Sequence, residues 1–422
     1  VGDHATWHRA ADAPLASDIA GLARPVSCWV GEARTAQGLA KDAAEAIAAA
    51  RSAPGGIATL VVPADCQWGD AAGPSPALAP RAPRAVPEAE VTAVADAVRA
   101  ARGAALYLGG AALSERGQWA AARIAARSGC RVLGECFPAR MERGRGMPRV
   151  DRLPYFPERV TAELAGLEAL VLAGATEPVA FFGYRGMPSR LTPEGCRLLA
   201  LARPEDDAER ALEDLAEALE APPATAAMAF PARAPAPPEG PLTPQAIGAV
   251  LALGQPEGAI VVDEAGTTGS AYFYRAAASP RHTLLTLTGG SLGMGPACAT
   301  GAALACPERV VIDFQGDGSA LYTLQSLWTQ AREQLHVVTL VCANRSYRIL
   351  EVELARAGAA VPGPVARRLT QLSPPAVDFV QLARGLGVPA ARVESAGALR
   401  DELARCVAEP GPHLLELAVE GA

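Results

Sequence analysis

The segment Val310 to Tyr347, VVIDFQGDGSALYTLQSLWTQAREQLHVVTLVCANRSY, constrains this chain more than any other. Val310 to Gln315 and Val337 to Cys342 are short, β-branched apolar runs, which predict two strands. Between them Leu321, Leu324, Leu327, Trp328 and Ala331 recur at helical spacing. A strand–helix–strand unit of this kind crosses over right-handed and leaves its strands parallel. Both strands then end on one edge of the sheet, where open α/β folds bind ligands.

Asp317 follows the first strand and Asn344 the second, and neighbouring strands lie about 5 Å apart. A carboxylate and an amide oxygen at that separation hold one hard cation. The backbone N–H groups of Gly318, Ser319 and Ala320 open the helix and offer an anion site beside it. Mg2+ held by few protein oxygens completes its shell with phosphate oxygens and water. The predicted guest is a metal diphosphate. Gly316-Asp317-Gly318 alone would be an ordinary turn. Asn344, after 25 further residues, is what turns it into a candidate clamp.

With those residues in view, the segment resembles the diphosphate motif of thiamine diphosphate (ThDP) enzymes. Gly316, Asp317 and Gly318 match its start and Asn344 its end. The resemblance implies that Mg2+ takes the Asp317 carboxylate, the Asn344 amide oxygen and the Ser346 carbonyl, beside Tyr347. Many members have Asn-Asn where this chain has Ala343-Asn344, but the ligand position is the second of the pair.

Composition narrows the alternatives. The 422 residues suffice for two or three domains. Lys41 is the sole lysine, and no G-x-x-x-x-G-K-[ST] loop exists. A net charge of −7 without a basic tract argues against nucleic acid as a partner. No apolar run has the length of a membrane helix, and no secretory signal pattern opens the sequence. Nine scattered cysteines without C-x-x-C suggest reduced thiols, hence a cytoplasmic protein. His4 and His8 are spaced like a ligand pair but lack a third ligand.

The expected fold class is α/β: three consecutive doubly wound parallel-sheet domains of the ThDP-enzyme type, the first incomplete. Residues 1–75, with GDHATWHRAADAPLASDI, ARPVSCWV and GGIATLVVPADCQW, resemble the later part of the pyrimidine-binding domain of acetolactate-synthase-like members. Residues 86–221 alternate helix and strand as a Rossmann-like unit. No G-x-G-x-x-G occurs at Leu108-Gly109-Gly110-Ala111, so FAD is not expected there and the unit reads as a spacer. Its segment Gly134 to Pro157 carries Arg140, Arg143, Arg145 and Arg149; an anion site is one reading, but the segment reads first as a solvated loop. Residues 222–242 form a Pro- and Ala-rich linker that reads as stiff and extended. Residues 243–422 are the expected diphosphate-binding domain, opening on a helix capped by Thr243 with Pro244 at its first position. Arg348 to Pro375 shows little pattern.

Within that last unit the resemblance assigns further contacts. Gly266 and Thr267 match a second diphosphate contact, Gly290 a backbone contact to the aminopyrimidine, and Leu292 the apolar residue that holds the cofactor bent. The implied cofactors are ThDP and Mg2+. The implied chemistry is C–C bond making or breaking beside the carbonyl of a small 2-keto acid, as a lyase or transferase. Three readings follow: an acetolactate-synthase-like carboligase, a benzoylformate-type decarboxylase, or a non-catalytic chain that binds cofactor or a partner. The family's activating Glu lies in the first half of the pyrimidine-binding domain, so no catalytic residue is assigned here; neither Glu32 nor Glu264 lies in its motif. The chain as given is therefore expected to be inactive by itself. Family sites form between subunits, which implies a homodimer or homotetramer. His4, His8 or Thr6, just past a strand end, are candidates to contact substrate or cofactor.

Overall fold

A computed structural model describes residues 1–231, 233–234, 236–358 and 363–419. Three parallel-dominated sheets follow one another. The first holds β1 (Gly2–Asp3), β2 (Trp29–Glu32) and β3 (Ala58–Pro63) in the order β1-β3-β2. The Leu39–Arg51 helix packs on it. The second holds β4 (Ala104–Leu108), β5 (Arg131–Gly134), β7 (Asp151–Arg152), β8 (Ala169–Ala173) and β9 (Arg197–Ala202), in the order β7-β5-β4-β8-β9. The third has seven strands, β14-β15-β13-β12-β10-β11-β6. These are β6 (Met141–Arg143), β10 (Ala259–Glu264), β11 (His282–Thr286), β12 (Val311–Gly316), β13 (Val337–Ala343), β14 (Ala390–Val393) and β15 (His413–Ala418).

The strands β10, β12, β13 and β15 are buried almost throughout, as parallel strands covered on both faces must be. The Pro244–Gly254 helix opens as expected, with the Thr243 hydroxyl accepting from the Ala246 N–H at 3.2 Å. Among the described residues no helix is long and apolar enough to cross a membrane.

Four expectations change. The single helix after Asp317 is two, Asp317–Thr323 and Ser326–Arg332, joined by tight i→i+3 bonds from Leu327 to Leu324 and Trp328 to Gln325. Leu321 and Trp328 are exposed, so only part of the apolar spacing was core. The arginine-rich segment is not a solvated loop: its centre is β6, which pairs antiparallel with β11, and Arg143 is 7% exposed. Nor is the linker extended throughout. A short turn at Ala226–Met228 and a Phe230 N–H bond to the Met147 carbonyl lay it against the second unit. Arg348 to Pro375, read as patternless, holds the Arg348–Arg356 and Pro364–Thr370 helices.

Candidate functional site

From β10 the chain steps outward to β11, then returns to the other side of β10 as β12 and continues to β13. The strand order therefore reverses between β10 and β12, and a ligand crevice opens outside the carboxyl ends of strands at such a point. Glu264, Ala265 and Gly266 leave β10 there, and Gly316 and Asp317 leave β12. Gly316 pairs with Cys342 on β13, which brings Asp317 level with Ala343 and next to Asn344.

Asp317 is 5% exposed. Its Oδ2 accepts the Arg345 N–H at 2.6 Å and its Oδ1 the Gly318 N–H at 2.9 Å. Burial nevertheless pushes it up to about 6, because those N–H groups only partly replace lost water. Asn344 Oδ1 accepts the Ser346 N–H at 3.0 Å. An amide oxygen has two lone pairs, so one remains for a cation. Between them Arg345 sits at φ +60°, a left-handed conformation that costs a non-glycine residue about 1–3 kcal/mol and tends to mark functional turns. The turn is braced from outside. Ser346 Oγ donates to Glu351 at 2.8 Å, and the Tyr347 N–H donates to the Thr370 carbonyl at 2.7 Å. A Cβ on Gly318 would lie 2.5 Å from the Tyr347 ring, so the aromatic side chain covers this turn only because position 318 is bare.

The other sequence-assigned residues line the same edge. Gly266 and Thr267 follow β10, and Gly290 and Leu292 follow β11. Gly290 has φ +70° with no heavy atom within 4 Å of where a Cβ would stand, so its backbone borders open space. Leu292 is 45% exposed, not a core leucine. Ser319 and Ala320 are buried in the first turn after Asp317, and the Ser319 hydroxyl donates to the Gly316 carbonyl at 3.0 Å. Thr6 is held by Asp65 at 2.6 Å, and His4 by the Pro14 carbonyl at 3.1 Å.

A buried polar layer beneath the crevice escaped the sequence reading. The Glu264 carboxylate, 2% exposed, accepts the Gly295 N–H at 2.7 Å and also the Gly293 N–H, and so caps the Met294–Ala305 helix. Burial raises its pKa, and these N–H bonds partly oppose that. Gln315 Nε2 donates to Asp313 at 2.6 Å, and the Thr339 hydroxyl donates to Asp313 at 3.3 Å. Thr323 Oγ1 donates to the Gly293 carbonyl at 2.7 Å. The layer locks the β10, β11 and β12 exits together. Its one sequence signal was an Asp and a Gln inside an otherwise apolar strand, VVIDFQG.

The donor set suits a diphosphate-bound Mg2+. It offers one acidic side chain, one amide oxygen and one carbonyl, too few for an all-protein cage and apt for a cation that brings phosphate oxygens. Consistently, no group of three or more His, Cys, Asp or Glu side chains among the described residues is arranged to hold a metal. Among the described residues the buried Asp317 accepts hydrogen bonds from the Gly318 and Arg345 backbone N–H groups, and the Arg345 charge acts on it from farther off.

Comparison with known proteins bears on the owner of this clamp. The thiamine pyrophosphate enzyme C-terminal TPP-binding domain matches residues 264–417. A Mycobacterium tuberculosis protein named "Putative acetolactate synthase large subunit IlvX" is 47% identical over 99% of this chain and 80% of its own length. The chain belongs to the thiamine diphosphate-dependent enzyme family. Benzoylformate decarboxylase from Pseudomonas aeruginosa is 30% identical over 67% of this chain and 54% of that enzyme. In fold, the chain is similar to a Rhodococcus jostii ThDP-dependent 4-hydroxybenzoylformate decarboxylase, with a TM-score of 0.79 at 23% identity, covering 99% of this chain and 81% of that one. Thiamine diphosphate, another name for thiamine pyrophosphate, is thus the cofactor of this family's third-sheet unit.

Proposed function

We propose that this protein decarboxylates a small 2-keto acid and joins the product to a second carbonyl, as an acetolactate-synthase-like, ThDP- and Mg2+-dependent enzyme. The observation that carries the reading is the paired Asp317 and Asn344 at the switch point between β10 and β12. Asp317, Asn344 and the Ser346 carbonyl would hold Mg2+. Gly266, Thr267, Gly316, Gly318, Ser319 and Ala320 would meet the diphosphate, and Gly290, Leu292 and Tyr347 the rest of the cofactor. When bound, the cofactor supplies the nucleophilic carbon that adds to the keto group and the electron sink for CO2 loss. The chain's residues orient it and fix its charge. The 47% identity to the acetolactate synthase relative supports carboligation.

A benzoylformate-type decarboxylase is the second reading, supported by the 30% identity to that enzyme. An aromatic group near the crevice also suits a ring-bearing substrate. Phe137 and Tyr155 each stand against Phe181, beside Pro138, whose carbonyl accepts the Thr286 hydroxyl at the end of β11. We further propose a homodimer or homotetramer. A reducing, cytoplasmic setting suits its nine unpaired thiols.

The test is product analysis of this protein with ThDP, Mg2+ and pyruvate or benzoylformate. Acetolactate is expected from pyruvate; free aldehyde alone would move the assignment to the decarboxylase. Asp317→Ala should abolish both Mg2+-dependent ThDP binding and turnover, and retained affinity would show the clamp misassigned.

A further inference from the structure

We infer that the cavity between β6, the Phe230 segment and the Gly269–Arg275 helix is a binding site for a small carboxylate anion with a short apolar body. The cavity measures about 140 Å3 and lies where the second unit, the linker and the third sheet meet, apart from the cofactor crevice. Arg143 lines it and is 7% exposed. Its Nη2 donates to the Phe273 carbonyl at 2.9 Å and its Nη1 approaches the Met141 sulfur at 3.7 Å. Its Nε–H is buried and has no partner among the described residues.

A second guanidinium crowds the same place. Arg143 stands 3.8 Å and Arg152 4.0 Å from the centre of the Phe273 ring, and Arg149 lies 5.3 Å over Phe230. The two acidic side chains of the lining are already paired: Asp151 with Arg149, which lines the same cavity, at 2.9 Å, and Glu142 with Arg140 at 3.0 Å. Among the described residues, neither Arg143 nor Arg152 has a carboxylate at ion-pair distance. Burial and the neighbouring Arg152 pull Arg143 down to about 10, which still leaves it a cation at neutral pH. Ring contacts offset only part of the desolvation of a buried charge.

An oxyanion removes that imbalance. Arginine binds a carboxylate through adjacent N–H groups, and the Arg143 and Arg152 guanidiniums both belong to residues lining this cavity. Apolar side chains, among them Met141, Met147, Val150, Phe230 and Phe273, form much of the remaining wall, with Gln118 and Tyr274 beside them. A phosphate would press unpaired oxygens on that wall, whereas a branched carboxylate sets carbons against it. The size excludes a nucleotide, because pockets for drug-sized ligands run from about 300 Å3 upward.

Calorimetry on the full chain with isobutyrate, inorganic phosphate and neutral isobutyramide tests this. Isobutyrate is expected to bind saturably, one per chain, and isobutyramide not at all. Arg152→Gln, at a partly exposed strand, should weaken isobutyrate at least tenfold and leave ThDP affinity unchanged. Arg143→Met should abolish isobutyrate binding. Absence of saturable isobutyrate binding overturns the site, as does equal binding by wild type and Arg152→Gln. Phosphate binding without isobutyrate binding overturns the ligand class. Since ThDP affinity is read separately, failure here leaves the cofactor assignment intact.

Discussion

At the scale of single residues, the site is built on carboxylates that the fold has taken out of water. Asp313 is fully buried in the middle of β12, and burial pushes it up to about 7 from an ordinary 3.8, with Gln315 and Thr339 opposing the rise. The sign follows from proton binding. The folded state holds this proton more tightly than the unfolded chain, so stability falls as pH rises from about 4 through about 7. His282, depressed to about 4 by burial, works the other way, and its contribution is lost as pH falls below 6.5. Asp313→Asn keeps the shape and removes the titration. It should be more stable than wild type by on the order of 3 kcal/mol near pH 8, with the gap closing towards pH 5. Urea unfolding across that range checks this; a gap that does not change with pH would mean Asp313 stays ionised in the fold.

At the scale of elements, legibility followed locality. The strands β4 and β9 and the Glu115–Ser128 and Ala396–Ala408 helices were readable because each carries its own pattern: short Ala- and Leu-rich apolar runs, amphipathic spacing, a Ser cap. The clamp was readable for the same reason, since Asp317 and Asn344 sit at the ends of two patterned strands. The strand β6 was not. Met-Glu-Arg has no period, and what makes it a strand is the unpaired edge of β11, more than a hundred residues away in sequence. The polar layer of Glu264, Asp313 and Gln315 was hidden likewise, because a buried acid looks like a surface one until its partners are known. Gly144 ends β6 at φ +115°, and a Cβ there would lie 2.6 Å from the Pro280 carbonyl and 2.7 Å from the Arg281 Cα. Both obstacles are backbone and cannot swing aside. Gly144→Ala should therefore lift β6 off the sheet edge and cost on the order of 2–4 kcal/mol in chemical denaturation. A loss under about 0.5 kcal/mol, ordinary for a surface site, would show that β6 is not fixed at that end.

At the scale of the whole molecule, the separation into units is less complete than the strand order suggests. One continuous core joins Val94, Leu106 and Ile124 of the second unit to Leu251, Val261 and Phe314 of the third. The β6 strand reinforces the join, since it leaves the second unit's stretch of chain to close the third sheet. The first sheet contributes to none of the buried clusters and is reached through contacts such as the Arg81 N–H to Ser52 Oγ at 2.9 Å. A shared core makes unfolding all-or-none across it. Trp119 reports on the second unit and Trp328 on the third. In variants keeping only Trp119 or only Trp328, with the other four tryptophans replaced by Phe, both should report the same denaturation midpoint. Two resolved midpoints would mean that β6 and the common core do not couple the units, and that an occupant of the Arg143 cavity could not be felt from one unit to the other.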